Sequence, residues 1–262
     1  VEAVYKMADW SAAQYSKFKM ERTLPVIDLV NAIPCGNVRS VLDIGCGIGN
    51  STAVLAKRFP NAQITGADNS EDMLAAARKE NPGISFLKLD AETELDGIKE
   101  RFDVVFSNAC IQWIPNHRAL LKSMFSLLRD GGVLAIQIPQ QSKHPVHKIL
   151  QSLSESEKWC DKLTEKRVYH NLTEDEYYDT LSELTEQFRI WETTYFFTMP
   201  SHESIVEWYK GTGLRPYLAQ LSADDQKEYL DDVMHRLKEI YPVQKNGKII
   251  FRFPRLFFTA QK

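Results

Sequence analysis

Three glycines at alternate positions, Gly45, Gly47 and Gly49, constrain this chain more than any other feature. They follow Val41-Leu42-Asp43-Ile44, which reads as a short buried strand, and they lead into Asn50-Ser51-Thr52, a polar cluster suited to opening a helix. Glycine at such a turn removes Cβ atoms, so the chain can bend tightly and a ligand can come close to the backbone.

The spacing narrows the ligand. A pyrophosphate-binding turn reads G-x-G-x-x-G, with its third glycine at the position occupied here by Asn50. Asp43, at the strand end, would repel a pyrophosphate but suits a cation. S-adenosylmethionine carries a sulfonium and an ammonium and no phosphate, so these residues favour it over a nicotinamide dinucleotide. The run from Asp43 through Gly45, Cys46, Gly47 and Gly49 to Asn50 resembles the first motif of class I methyltransferases.

The chain beyond the glycines repeats strand and helix with short connections, the pattern of βαβ units and a mostly parallel sheet with helices on both faces. A second strand over Gln63–Asp68 ends in an acid 23 residues after Gly45, close to the ~20-residue offset at which a carboxylate accepts from ribose hydroxyls. Asn69-Ser70 can cap the following helix, leaving Asp68 for that role. A third strand over Ile84–Ala91 places Asp90 and Ala91 beside an adenine, with Met73 as an adaptable packing surface for the ring. The fourth, Phe102–Asn108, leads into an apolar turn holding Gln112 and Trp113, and the fifth is expected from Val133 to Ile138. Asp43, Asp68, Asp90 and Asn108 thus cluster at strand ends, where open α/β sheets bind ligands.

Before the first strand, residues 8–31 read as helical, with Pro25 breaking or restarting the helix. As a lid over the strand ends, this segment would bring Trp10 and Tyr15 to the cofactor and Arg22 to the substrate. The expected layout is a single domain: 1–39 as lid helices, 40–139 as the cofactor half, 140–187 and 199–247 as a helical cap, and 188–198 and 248–260 as the last two strands. Pro254 should force a bulge or a late start in the last strand, since proline cannot donate to a ladder. His144 and His147 lie three apart without a third ligand in view, which argues against a metal site.

Composition excludes some partners. A net charge of −3 and an isoelectric point near 6.1 leave no electrostatic footprint for nucleic acid. The four cysteines are scattered without a C-x-x-C pair, and no signal peptide or membrane-length apolar stretch is evident, so a cytoplasmic protein with reduced thiols is expected. Met7-Ala8-Asp9-Trp10 looks like a natural start, with Val1–Lys6 ahead of it. Oligomeric state is left open, a monomer being favoured.

Taken together, the residues resemble the trans-aconitate methyltransferase family. The likeness runs through Met7-Ala8-Asp9-Trp10, Tyr15, Glu21-Arg22, Gly45–Thr52, Asn108-Ala109, Gln112-Trp113 and Gly132–Ala135. It resumes at Tyr177-Tyr178-Asp179, Met199–His202, Gly213–Pro216 and Phe253–Phe257. One departure is Gln140, where the family often has an acid after Gln-x-Pro. The resemblance implies a Rossmann-like class I fold and methyl transfer from S-adenosylmethionine to one carboxylate of a small polycarboxylate, releasing S-adenosylhomocysteine. A carboxylic acid with a pKa near ~4 is already ionised at neutral pH, so no catalytic base is expected. Arginine forks match carboxylates, which makes Arg22, Arg215, Arg252 and Arg255 the candidate substrate ligands, with Gln112, Trp113 and Tyr177 lining the pocket. A carboxyl methyltransferase for a larger or carrier-bound acid is the alternative; a nicotinamide oxidoreductase fits less well.

Overall fold

A computed structural model describes residues 19–34, 36–165 and 168–262. Its centre is a seven-stranded sheet in the order β3-β2-β1-β4-β5-β7-β6. The strands are β1 (Ser40–Ile44), β2 (Gln63–Asp68), β3 (Ser85–Lys88), β4 (Phe102–Asn108), β5 (Leu128–Pro139), β6 (Phe188–Met199) and β7 (Ile249–Gln261). The pairs β1/β2, β1/β4, β2/β3 and β4/β5 are all parallel, so the expected α/β class and mostly parallel sheet are borne out. β1 lies between β2 and β4, and the strand order reverses beside it. That brings the carboxyl ends of β1, β2 and β4 to one edge, the place where such sheets bind ligands.

The chain forms two compact units. The first comprises the chain up to Pro139 with His170–Glu192 and Leu256–Lys262; the second comprises Gln140–Tyr169 and Thr193–Arg255. Helices of the first are α1 (Lys19–Ala32), α2 (Asn50–Arg58), α3 (Glu71–Glu80), α4 (His117–Ser126) and α6 (Glu174–Leu184). Those of the second are α5 (Pro145–Ser154), α7 (His202–Lys210), α8 (Arg215–Leu218) and α9 (Ala223–Ile240).

The first unit's core follows the sequence pattern. Leu42, Ile44, Val105, Leu134 and Ile136 are buried to 1 % exposure or less, as near-continuous apolar strands require when both sheet faces are covered. Three of its helices begin at side-chain caps. Ser70 caps α3 by accepting from Met73 N–H, Asn116 caps α4, and Thr173 with Glu176 forms a capping box on α6. Asp103 pins β1 to β4, its Oδ2 accepting from the N–H groups of Arg39 and Ser40 at 2.8 and 2.9 Å.

Four expectations need correcting. Pro25 neither breaks nor restarts a helix; it lies inside α1, where burial of Val26, Leu29, Val30 and Ile33 holds the turn despite the missing N–H. The fifth strand begins at Leu128 rather than Val133. Residues 129–132 are absorbed as a bulge, since Phe102 pairs with Leu128 and Val104 already with Val133, while Gly131 takes φ 79°. Pro254 lies within an unbroken β7, its carbonyl accepting from Gln140 N–H at 3.0 Å. The third strand is also shorter than expected, ending at Lys88.

In the second unit, α9 packs on α5 and α7. Its core is aromatic: Trp159 meets Tyr229 edge-on at 5.2 Å, and its indole N–H donates to Asp232 at 2.8 Å. His144 is fully buried beside Phe253 and within hydrogen-bond reach of the Tyr209 hydroxyl, 3.1 Å from Nε2. Burial, His147 and the Arg255 guanidinium all hold its imidazole well below the usual histidine range, so it is neutral.

Candidate active site

A cleft with about 770 Å³ of empty space opens in the first unit at the strand carboxyl ends. Its floor is the turn after β1. Gly45 has φ 74°, and its N–H and that of Cys46 both donate to Ala67 O, at 2.8 and 3.0 Å. A Cβ at Gly45 would lie 2.1 Å from Cys110 Sγ, so only glycine lets the turn after β4 pack there. At Gly47, with φ 54°, a Cβ would meet nothing within 4 Å. The bare backbone of Gly47 thus faces open space, a cradle for a ligand.

Asp68 stands at the cleft's edge. Its Oδ2 accepts from Gly47 N–H at 2.9 Å and its Oδ1 from Ser70 N–H at 3.0 Å. The carboxylate both braces the glycine turn and starts α3, and it still lines the cleft with acceptor capacity left. Burial raises its pKa, against the lowering effect of the Ser70, Gly47 and Asn69 N–H groups.

Asp43 has a different place from the one expected. It is fully buried beneath the loop, where Oδ2 accepts from the Ser51 and Thr52 hydroxyls, each at 2.7 Å. It ties the glycine turn to the start of α2 and does not line the cleft. Burial pushes its pKa up to about 6, against the two hydroxyl bonds.

The other wall is the turn after β4, running from Ala109 through the 3₁₀ segment Ile111–Trp113. Ala109 takes a left-handed conformation, φ 53°, unusual for a residue with a Cβ. Gln112 Nε2 donates to Ala109 O at 2.7 Å and holds it there. Asn108, Cys110 and Trp113 line the cleft, and Asn108 Oδ1 is a buried acceptor with no hydrogen bond among the described residues. Burial, with Asp68 and Asp43 nearby, pushes the Cys110 thiol up to about 12; burial raises Cys46 further. Both thiols are protonated at neutral pH and are poor nucleophiles.

Of the expected cofactor ligands, Gly45, Cys46, Gly47, Asn50, Asp68, Met73 and Asn108 come together around this cleft. Gly49 is buried behind the turn, where a Cβ would meet Asn81 and Phe86. Asn69 is exposed, and Ala91 belongs to the core. Asp90 instead organises its own loop, Oδ1 accepting from Glu92 N–H and its N–H donating to Glu94. Trp10 and Tyr15 lie outside the described residues.

Among the expected substrate ligands, Arg22 and Trp113 line the cleft, and Gln112 is buried behind its wall. Tyr177 is a core residue: it is fully buried, against Phe258, with its hydroxyl 2.5 Å from His117 Nδ1. In the second unit Arg255 is buried over the Phe253 ring, Arg252 is exposed near Phe196, and Arg215 is half-buried at the start of α8. Val26, Ile48, Ser51, Ala109 and Cys110 also line the cleft and were not singled out as ligands. Each adjoins a residue that was, in sequence or one helical turn away.

Comparison with known proteins decides the family. A profile described as "Methyltransferase domain" matches residues 37–185. A trans-aconitate 2-methyltransferase of Rhodopseudomonas palustris is 42% identical over 258 residues, covering 98% of this chain and all of its relative. One from Escherichia coli O157:H7 is 40% identical over 256 residues, covering 98% of this chain and 99% of that one.

The chain belongs to the trans-aconitate 2-methyltransferase family.

It is an S-adenosylmethionine-dependent methyltransferase. Solved structures agree on the fold. The YcgJ protein of Bacillus subtilis aligns with TM-score 0.59 at 16% identity, over 91% of this chain and 98% of that one. A Haemonchus contortus phosphoethanolamine N-methyltransferase solved with S-adenosylmethionine aligns with TM-score 0.56 at 20% identity, over 93% of this chain and 52% of that one. For a member of the trans-aconitate 2-methyltransferase family, the Gly47 cradle, the Asp68 carboxylate and the orphaned Asn108 oxygen fit the cofactor: space against bare backbone, an acceptor for hydroxyls, and an acceptor for a cationic end. No helix among the described residues is long and apolar enough to cross a membrane.

Proposed function

We propose that this enzyme esterifies one carboxylate of trans-aconitate, giving the monomethyl ester and S-adenosylhomocysteine. The observation that carries the reading is full-length similarity, about 40% identity across 98% of the chain, to relatives with that activity in their names. The cleft chemistry supports it. Arg22 is the one cation among the described residues that line it, and its guanidinium offers a fork to a carboxylate.

When bound, S-adenosylmethionine supplies the electrophilic methyl group. The chain's residues then have three tasks. Gly45 and Gly47 give the cofactor access to backbone, Asp68 accepts from its ribose hydroxyls, and Met73 packs on its ring. The acceptor carboxylate is ionised at neutral pH and needs no deprotonation. Gln112 and Trp113 shape the wall that aims it, and orientation of this kind can supply roughly 7–11 kcal/mol. A polyanion in a net-acidic protein needs local cations, and Arg22 is the one we assign to a second carboxylate of the acid. The small-molecule acid is the proposed partner and the cytoplasm the proposed compartment.

The test is transfer of labelled methyl from S-adenosylmethionine to trans-aconitate, with cis-aconitate, isocitrate and citrate in parallel. Selective labelling of trans-aconitate is expected, falling in Arg22→Ala. Cofactor binding without labelling of any of the four acids would discard the substrate.

A further inference from the structure

The side chain expected to touch substrate, Tyr177, leads instead to a buried relay behind the cleft wall. His117, the first residue of α4, is 1 % exposed. Its Nε2 lies 2.8 Å from Ile111 O, and its Nδ1 lies 2.5 Å from the Tyr177 hydroxyl. The carbonyl can only accept, so Nε2 carries the proton and Nδ1 accepts from the phenol. Burial holds the His117 pKa below its usual value, with His170 acting in the same direction, which keeps this neutral tautomer at physiological pH. Leu172 N–H in turn donates to the phenol oxygen. One residue further along the wall, Gln112 O accepts from His170 N–H at 3.0 Å.

Two successive carbonyls of the 3₁₀ turn, those of Ile111 and Gln112, are therefore held from behind by His117 and by the stretch His170–Tyr177. On the front of the same turn, Trp113 lines the cleft and Gln112 fixes the left-handed Ala109. We propose that His117 and Tyr177 are positioning residues: their relay latches the turn after β4 and so sets where Trp113 and Gln112 stand against the methyl acceptor. The latch rests on the methyl-transfer reading of the cleft, and it gives Tyr177 a role without substrate contact. A hydroxyl that served only the core would have no reason to end, through an imidazole, on a carbonyl of the cleft wall.

Tyr177→Phe removes the hydroxyl that donates to His117 and accepts from Leu172 N–H, and Leu181→Val trims a fully buried apolar side chain on the same helix without touching the relay. Two readouts separate latch from core. Hydrogen exchange of the backbone amides over 109–114 needs no substrate, and kcat/KM for trans-aconitate is measured at a temperature below both variants' measured unfolding midpoints. Tyr177→Phe is expected to speed exchange in that stretch and to lower kcat/KM roughly ten- to hundredfold, the scale of a small misplacement of reacting groups. Leu181→Val should do neither. Unchanged exchange in Tyr177→Phe overturns the latch, whichever acid is the substrate. Faster exchange with unchanged kcat/KM overturns the positioning role and leaves a structural one. Wild-type protein that exchanges as expected but methylates no acid overturns the substrate reading, and the exchange comparison still decides the latch.

Discussion

The two walls of the cleft solve one problem by opposite means. The turn after β1 reaches its left-handed conformations with glycine, at Gly45, Gly47 and Gly49, and needs few side chains to hold it. The turn after β4 reaches one at Ala109, a residue with a Cβ, and is held there by hydrogen bonds from Gln112, His117 and His170. A wall written in backbone freedom leaves the ligand room to approach. A wall held by side chains can place a large surface such as Trp113, at the cost of local strain. The first suits a cofactor recognised along its length; the second suits an acceptor that must be aimed.

The sharpest way to break that comparison is to put a Cβ where the first wall has none. Gly45→Ala would force a methyl to within 2.1 Å of Cys110 Sγ at φ 74°. Strain and overpacking together should cost about 3–5 kcal/mol and abolish cofactor binding. Urea unfolding and calorimetric titration with S-adenosylmethionine would check it, and an unchanged midpoint would mean the glycine is dispensable. Asp68→Ala is next in size. It removes the brace on Gly47 N–H and an acceptor at the cleft edge, so cofactor affinity should fall about ten- to hundredfold. Retained affinity in a folded variant would leave Asp68 only its role in starting α3.

The same contrast explains what could be read from the sequence. The glycine wall lies within ten consecutive residues, its chemistry fixed by local backbone geometry, and Gly45, Gly47, Asn50 and Asp68, read from the sequence as neighbours of one ligand, all line the cleft. Strand alternation and caps such as Ser70 located most elements to within a residue or two, because those signals are local as well. The second wall depends on His117 meeting Tyr177, sixty positions apart, and on His170 meeting Gln112. No periodicity announces such a pairing, so Tyr177 read as a pocket residue and His117 was passed over. Asp43 misled for a related reason. A strand-end acid signals a cationic neighbour, but which way its carboxylate turns is decided by Ser51 and Thr52.

Asp43 also gives a pH test of the glycine wall. Its folded pKa, about 6, stands above the ordinary value of 3.8, so folding favours the protonated carboxyl. Its contribution to stability is therefore full below about pH 4 and is lost as pH rises through 6. Binding runs the other way. Above pH 6 the ionised carboxylate beneath the loop attracts a sulfonium cation but not the neutral sulfur of S-adenosylhomocysteine. The affinity ratio of the two ligands should therefore rise about three- to tenfold between pH 5 and 7.5, and stay flat in Asp43→Asn. A wild-type ratio independent of pH would separate the buried acid from cofactor recognition.

The smallest effect is the most direct comparison of the walls. Ala109→Gly removes a Cβ from a left-handed residue, the reverse of the change at Gly45. Relief of that conformation is worth about 1–2 kcal/mol, and the extra freedom of glycine in the unfolded chain takes back about 0.5–1. The net should be a gain of at most about 1.5 kcal/mol, read as a slightly higher urea midpoint. Activity should move the opposite way. A turn that no longer needs Gln112 to hold residue 109 has more conformations available, and Trp113 loses part of its fixed position. A variant more stable yet slower toward the acceptor, with cofactor affinity unchanged, is what a strained and latched wall predicts. A variant that is less stable would mean that the left-handed Ala109 is relaxed in its setting, and that the strain argument for this wall fails while the hydrogen bonds behind it remain.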